Sequence, residues 1–167
     1  VADRGIRGIV FDTSGLDFLS YTDAPNGPRV CVGAGLDIDT LVQDSILKGY
    51  SGLEFLAGMP GSIGGALWMN ARCYGSSISD VLIQTQIVDE HLKIIDLPYI
   101  EKEFGYKKSP FQQSKNLILA ASFQLKNEDV VTTKIRYNES VQAPFEKGEK
   151  IGTISIFVNG EEIGQVD

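Results

Sequence analysis

A cluster of glycines between residues 58 and 65 is the strongest chemical signal in the sequence. Four glycines fall within eight positions: Gly58, Gly61, Gly64 and Gly65. Glycine lets a backbone turn so that several amide N–H groups face one point, and Ser62 can cap a helix that begins at Ile63. A helix N-terminus adds partial positive charge, worth roughly 0.3 to 1 kcal/mol to an anion. The segment therefore predicts a backbone cradle for a pyrophosphate.

The spacing of these glycines excludes two common nucleotide motifs. It matches neither GxGxxG nor GxxxxGK[ST], so a Rossmann site and a P-loop have no support in the sequence. A tight structural loop, whose glycines only allow close packing, remains open as the alternative to a ligand site.

The charge balance limits how an anion would be held. The chain has 22 Asp and Glu against 15 Lys and Arg, which gives a net charge of -7. Nucleic acid and anionic membranes are not expected as partners, because both need a basic protein face. Any phosphate is therefore expected to bind to backbone groups.

Other residue types with chemical potential give weaker signals. His91 lies in DEHLK and is predicted to be a surface turn residue. Cys31 and Cys73 have no second thiol or histidine beside them, so no zinc site, other metal site or disulfide framework is predicted. Trp68 and Met69 are expected in the core, although both could instead touch a bound ring.

The bulk composition indicates a soluble globular protein. The chain has 167 residues and 43% hydrophobic content, which fits one domain or one domain with a small appendage. No apolar run reaches the length of a membrane span, and Val1 does not begin a signal peptide. A cytoplasmic location is expected. The opening VADRGIRGIVF reads like the middle of a domain, so further residues are expected before Val1.

Periodicity predicts the elements that would hold the cradle. A helix is predicted from Ile38, with Asp37 as N-cap and Gly49 as the C-terminal stop. Its buried face is predicted to carry Ile38, Leu41, Val42 and Ile46. A short helix is predicted at 63–69. Strands are predicted at 8–11, 29–33, 82–88, 94–97 and 116–125, with a hairpin joining the third and fourth.

The sequence pattern changes near Lys126, where a polar joint at 127–134 begins. Strands are predicted at 135–141, 151–158 and 161–166, and the Asn159-Gly160 pair between the last two is a strong hairpin signal. Two domains are therefore expected, at 1–126 and 127–167.

Residues 1–125 resemble a known family. The stretch GLEFLAGMPGSIGGALWMNARCYG is similar to the signature of the UDP-N-acetylenolpyruvoylglucosamine reductases, also called UDP-N-acetylmuramate dehydrogenases. The resemblance extends to RGIRGIVF, VGAGLDIDTLV, FGYKKSPF and LILAASFQL. It implies an α+β FAD-binding domain of the vanillyl-alcohol-oxidase type, a role in peptidoglycan synthesis, and a separate substrate domain.

The resemblance also implies positions for the cofactor. The residues implied to wrap the FAD pyrophosphate are Pro60, Gly61, Ser62, Ile63, Gly64 and Gly65. Those implied to lie near the flavin are Asn70, Ala71, Tyr74 and Gly75, and those beside the adenosine half are Gly33, Ala34 and Gly35.

The family reaction passes hydride from NADPH through FAD to the enolpyruvyl group of a UDP-sugar. In the segment where the family has FGYR, this chain has FGYKK, which implies Tyr106 and Lys107 as catalytic residues. Lysine keeps the charge but loses the planar fork that grips a carboxylate. The family's serine proton donor, late glutamate and first glycine-rich loop are not found, so an incomplete, poorly active reductase is expected.

Residues from about 130 to the end resemble a different protein family. APFEKGEKIGTISIFVNGEEI is similar to the C-terminal β domain of D-alanyl-D-alanine carboxypeptidases, which are penicillin-binding proteins. That domain is an all-β appendage without catalytic residues. The alternative to a flavin module is therefore a noncatalytic β-rich domain, or a composite chain built from cell-wall enzyme fragments.

Overall fold

The computed structural model describes residues 5, 7–128, 131–137, 152–158 and 161–166. It contains two α-helices, α1 (Ile38–Leu47) and α2 (Ile63–Met69). The strands of residues 1–127 are β1 (Leu19–Thr22), β2 (Arg29–Gly33), β3 (Tyr50–Ser51), β4 (Arg72–Cys73), β5 (Ser76–Ser77), β6 (Leu82–Val88), β7 (Ile94–Pro98), β8 (Leu117–Gln124) and β9 (Lys126–Asn127). Short 3-10 helices occur at Glu54–Leu56, Ile78–Asp80, Glu101–Glu103 and Pro110–Gln113.

The chain divides into two compact units, residues 1–127 and residues 128–167. The first unit is built on a five-stranded antiparallel sheet of order β1-β2-β8-β6-β7. Two short pairs, β3 with β9 and β4 with β5, lie outside it. The unit is therefore an α+β domain, as the family resemblance implies.

The helices pack their apolar faces on this sheet. The buried core that the helices form together with strands β2 and β8 includes Val30, Val32, Leu41, Val42, Ile63, Leu67, Ala121 and Phe123. Burial of this apolar surface is the main force that holds α1 and α2 in place, because short helices gain little stability by themselves.

The two helices begin as the sequence predicts. The Asp37 carboxylate accepts the Thr40 N–H at 3.2 Å, and the Ser62 hydroxyl accepts the Gly65 N–H at 3.3 Å. Each side chain satisfies a first-turn donor that would otherwise lack an acceptor within the helix. The two caps lie side by side, since Asp37 and Ser62 form an antiparallel bridge.

Three sequence-based expectations are wrong. Residues 8–11 are not a strand, and Ile9, Val10 and Phe11 are 83%, 73% and 66% exposed. On α1, Ile46 is exposed and Ser45 is buried instead. Burial of Ser45 is tolerated because its hydroxyl donates to the Leu41 carbonyl at 2.8 Å.

Trp68 and Met69 are also not core residues, since they are 46% and 39% exposed. The buried side of α2 is formed by Ile63, Ala66 and Leu67, and the last turn directs the two larger side chains outward. The apolar character of Trp68 and Met69 does not predict their burial, because a seven-residue helix buries only one face and leaves the residues of its other face exposed.

The second unit contains a three-stranded antiparallel sheet of β10 (Val131–Tyr137), β11 (Gly152–Val158) and β12 (Glu161–Val166). The predicted strand at 161–166 is confirmed, and the one predicted at 151–158 is confirmed over 152–158, since residue 151 lies outside the described residues. The first strand begins at Val131, inside the segment predicted as a polar joint, and residues 138–141 and the Asn159-Gly160 turn lie outside the described residues.

Among the residues that the structure describes, no helix has both the length and the apolar character needed to cross a membrane.

Candidate functional site

The cradle is formed where the segment before α2 crosses the start of α1. The Ile38 N–H donates to the Gly61 carbonyl at 3.0 Å, and the Ile63 N–H donates to the Leu36 carbonyl at 3.0 Å. The Gly64 N–H donates to the Ala34 carbonyl at 2.8 Å. These bonds fix the entry to α2 against the segment that leaves β2.

The hydrogen bonds show which cradle amides are available to a ligand. The N–H groups of Ile63, Gly64 and Gly65 already have protein acceptors, and the Gly58 N–H donates to the Asp39 carboxylate at 2.6 Å. The N–H groups of Gly61 and Ser62 have no hydrogen-bond partner among the described residues. Within the described part of the chain, these two adjacent groups are therefore the cradle donors that remain without an acceptor.

The glycines of the cradle have different structural roles. Gly61 has a φ of 122° and no heavy atom within 4 Å of an added Cβ, so it provides the turn and an open face. A Cβ on Gly64 would lie 3.1 Å from both the carbonyl oxygen and the Cβ of Ala34, so this glycine allows the helix to approach β2 closely. Gly64 thus has the packing role that the sequence left open as the alternative, whereas the ligand role of Gly61 stays a prediction.

The segment Gly33–Gly35 is packed against the chain itself. An added Cβ on Gly33 would meet the Leu16 carbonyl oxygen at 2.1 Å, and one on Gly35 would meet the Thr13 carbonyl oxygen at 1.9 Å. The N–H groups of Ala34 and Gly35 donate to the carbonyls of Leu119 and Leu16 at 2.8 and 2.9 Å. These residues bring segment 13–16 close to the end of β2, and their amides are already used.

The implied flavin-side residues divide into buried and exposed ones. Asn70 is 3% exposed and Ala71 is half-buried, with its N–H on the Ala66 carbonyl and its own carbonyl accepting the Ile78 N–H. Tyr74 is 87% exposed and, with Gly75, forms the turn between β4 and β5. Both turn residues have positive φ, 49° and 89°.

Tyr106 and Lys107 form the tip of a tight turn. The backbones of Gly105 and Lys108 bond each other in both directions at 3.0 Å. Tyr106 is 74% exposed, and the Lys107 ammonium lies 5.6 Å from the centre of its ring. The tip therefore presents a cation and a phenol together to the outside.

Two side chains fix this turn to α2 through hydrogen bonds that the sequence does not predict. The Ser109 hydroxyl donates to the Trp68 carbonyl at 2.7 Å, and the Asn70 amide donates to the Gly105 carbonyl at 2.9 Å. Nothing in the spacing of these residues predicts the bonds, because their partners lie 35 or more positions apart in the sequence. The bond from the Gly58 N–H to the Asp39 carboxylate, whose residues are 19 positions apart, is also not predicted by spacing.

His91 and the cysteines take no part in this arrangement. His91 is exposed in the β6–β7 turn, as predicted, and its N–H donates to the Asp89 carboxylate at 2.9 Å. Cys31 and Cys73 are both free and half-buried.

Two protein families match this chain. The FAD binding domain family matches residues 1–97, and the C-terminal domain of penicillin-binding protein 5 matches residues 112–167. The first match covers more than half of the chain. FAD is the cofactor that this match identifies.

Individual relatives of this chain are UDP-N-acetylenolpyruvoylglucosamine reductases. A UDP-N-acetylenolpyruvoylglucosamine reductase of Bacillus pumilus is 37% identical over 163 residues, covering 95% of this chain and 52% of the relative. One of Bacillus subtilis is 40% identical over 131 residues, covering 77% of this chain and 42% of the relative. This chain thus spans about half the length of the curated relatives that it matches.

A solved structure agrees with these relatives. The crystal structure of the UDP-N-acetylenolpyruvylglucosamine reductase from Thermus caldophilus is 32% identical, with a TM-score of 0.54, over 59% of this chain and 36% of that one. The chain belongs to the FAD binding domain family, and it resembles the UDP-N-acetylenolpyruvoylglucosamine reductases.

Proposed function

We propose that residues 1–127 are the flavin-binding part of a UDP-N-acetylenolpyruvoylglucosamine reductase, with a fold of the vanillyl-alcohol-oxidase type. The observation that supports this most directly is the pair of N–H groups on Gly61 and on Ser62, the N-cap of α2, which have no hydrogen-bond partner in the part of the chain that the structure describes. In a chain of net charge -7, backbone donors are the groups suited to a pyrophosphate. The residues present therefore fit FAD.

The segment Pro60–Gly65 wraps the pyrophosphate in this proposal, with Gly61 and Ser62 as its donors. The residues Ile63, Gly64 and Gly65 shape the cradle through their bonds to the rest of the domain. Asp39, whose carboxylate holds the Gly58 N–H, keeps that end of the loop closed. Bound FAD supplies hydride transfer, which no side chain of the domain can perform.

The turn that carries Tyr106 and Lys107 faces the substrate side in this proposal. Lys107 can stabilise negative charge on a carboxylate or an enolate oxygen, but as a single ammonium rather than a bidentate guanidinium. Its exposed position means that water weakens this charge unless another part of the protein covers it. NADPH is the proposed reductant and a UDP-sugar the proposed substrate.

Protonation of the reduced substrate needs a donor opposite the flavin, and no residue of the family's serine segment is found in this sequence. The FAD-loaded chain should therefore oxidise NADPH in the presence of UDP-N-acetylenolpyruvoylglucosamine at close to the background rate. Absorbance at the NADPH band measures this. Rapid turnover that depends on the UDP-sugar would contradict the proposed incompleteness.

FAD binding is tested by titration. Trp68 is the single tryptophan of the sequence and lies on α2, so bound flavin should quench its emission by energy transfer. Gly65 offers a sharp variant pair, because an added Cβ there meets only the Ser62 hydroxyl, at 3.6 Å. A carboxylate in the first turn of a helix favours the helix but repels an anion bound at its start.

The expected result is that Gly65→Asp weakens FAD binding about tenfold, from one added charge near a dianion in water. Gly65→Asn has the same shape without the charge and should stay within about threefold of the original affinity. Equal affinities for the two variants would place the pyrophosphate elsewhere. No quenching with the unchanged chain would remove the flavin proposal itself.

A second function is supported for the second unit alone. The match of residues 112–167 to the C-terminal domain of penicillin-binding protein 5, together with the three-stranded sheet of β10, β11 and β12, favours a noncatalytic β module there. If the unchanged chain fails to bind FAD, the noncatalytic β-rich or composite protein becomes the better proposal.

A further inference from the structure

Asn70 is the C-cap of α2, and both polar atoms of its side chain form hydrogen bonds within the domain. It is 3% exposed, with a φ of 45° and a ψ of 61°. Its Nδ2 donates to the Gly105 carbonyl at 2.9 Å, and its Oδ1 accepts the Ser79 N–H at 3.3 Å. One buried amide thus joins α2 to two segments that lie 9 and 35 positions further along the chain.

Capping the helix does not require these bonds. A left-handed residue at a helix C-terminus is well served by glycine, and asparagine is tolerated there because of its backbone preference. The Nδ2 donor adds a specific contact to the 105–108 turn, which is otherwise exposed at its tip. The side chain therefore serves the turn in addition to the helix.

The 105–108 turn needs stabilising contacts because of the backbone conformation at its tip. Lys107 at its tip has a φ of 51°, a conformation that L side chains adopt rarely and that persists where the surroundings enforce it. The Gln112 amide donates to the Lys107 carbonyl at 3.0 Å, and Ser109 bonds to the end of α2. Asn70 holds the Gly105 side of the turn, and Ser109 holds the other side.

We propose that Asn70 is a positioning residue, which fixes the 105–108 turn against the C-terminal end of α2 and so sets the places of Tyr106 and Lys107. The proposal rests on the proposed function, in which these two residues face the substrate. It assigns Asn70 a role toward the turn and leaves the pyrophosphate donors, Gly61 and Ser62, at the opposite end of α2.

Two lysines make the turn a natural site for a local probe. In Asn70→Asp the acceptor for Ser79 stays, but the donor to Gly105 is lost and a carboxylate faces a carbonyl. Trypsin should then cleave native protein after Lys107 and Lys108 about fivefold faster or more, since cleavage follows the population of the opened turn. Cleavage after Lys48 and Lys93, which are exposed elsewhere, should change less than about twofold.

Two further variants keep the test decisive. Asn26→Asp adds the same charge at an exposed loop residue and should leave all cleavage rates unchanged. Asn70→Gly keeps the left-handed conformation and removes both side-chain bonds, so it should also release the turn, even if the buried carboxylate of Asn70→Asp prevents folding.

The proposal is overturned if cleavage after Lys107 and Lys108 is unchanged in Asn70→Gly, or if it rises equally after Lys48 and Lys93. FAD affinity, read from Trp68 quenching, is measured beside the cleavage rates in the variant that folds. A tenfold loss of FAD affinity without faster local cleavage would instead assign Asn70 to the cofactor and overturn the proposal. If the unchanged chain binds no FAD, the proposed function fails, whereas the cleavage pattern still decides the role of Asn70.

Discussion

Tyr21 lies in a small cluster of polar and aromatic groups where β1 meets α1. Its hydroxyl is 3.1 Å from the Ser45 hydroxyl, its ring centre is 5.3 Å from that of Tyr50, and the Lys48 ammonium lies 5.3 Å from its ring centre. Burial raises the pKa of Tyr21 from 10.0 to about 12, and the Asp44 carboxylate adds to this while the Ser45 bond opposes it. The neutral phenol is therefore the form that the fold accommodates.

This shift predicts how stability changes in alkali. Between pH 10 and 12 the unfolded chain releases the Tyr21 proton and the folded chain keeps it, so the unfolded state binds fewer protons and stability falls as pH rises. Tyr21→Phe should make this fall shallower, as measured by urea midpoints from pH 9 to 12. Tyr106→Phe is the matched control, because Tyr106 is exposed, and it should leave the slope unchanged. An unaltered slope in Tyr21→Phe would show that other groups cause the alkaline loss.

At the scale of one element, α2 carries two adjacent glycines with different surroundings. An added Cβ on Gly64 would lie 3.1 Å from the backbone oxygen of Ala34, the atom that accepts the Gly64 N–H. An added Cβ on Gly65 makes only an ordinary contact at 3.6 Å. Helix propensity favours alanine at both positions by up to about 1 kcal/mol, so packing decides the difference between them.

The two alanine variants should therefore differ in stability. Gly65→Ala is expected to raise the free energy of unfolding by about 0.5 to 1 kcal/mol. Gly64→Ala should gain little or lose stability, and Gly64→Val should lower it by about 1 to 3 kcal/mol through overpacking. Urea unfolding followed by Trp68 emission measures all three. Equal gains for the two alanine variants would mean that Ala34 can move away at no cost.

The elements that the sequence predicts well are those with local signals. Helices α1 and α2 follow from caps at Asp37 and Ser62 and from apolar periodicity, and the β6–β7 hairpin follows from alternation around one turn. Strands β1, β3, β4 and β9 are not predictable in this way. Each has two to four residues and owes its identity to a partner strand, which short apolar patterns do not encode.

For the molecule as a whole, the sequence predicts the location of the proposed site better than the contacts that form it. The glycine cluster predicts the place of the proposed cradle, but only the hydrogen bonds show that Gly61 and Ser62 have N–H groups without a partner among the residues described. The roles of Asn70 and Ser109 depend on contacts with segments far along the chain. Residues 8–11 have the composition of a strand but no strand partner among the described residues, so composition alone misplaces them.

The division into two units leads to a prediction about the whole chain. The five-stranded sheet, both helices and every proposed FAD contact lie in residues 1–127. The last two of these residues pair with β3, since Lys126 faces Ser51 and Asn127 faces Tyr50. A chain that ends at Asn127 therefore retains the five-stranded sheet and both short strand pairs, β3 with β9 and β4 with β5.

We expect the chain that ends at Asn127 to bind FAD within about threefold of the full-length affinity and to show nearly the same urea midpoint by Trp68 emission. A chain that ends at Leu125 is the matched comparison, because it loses the β3–β9 pair and should unfold at lower urea. If both shortened chains lose FAD binding together, residues 128–167 support the flavin site, and the two units would have to be treated as one functional body.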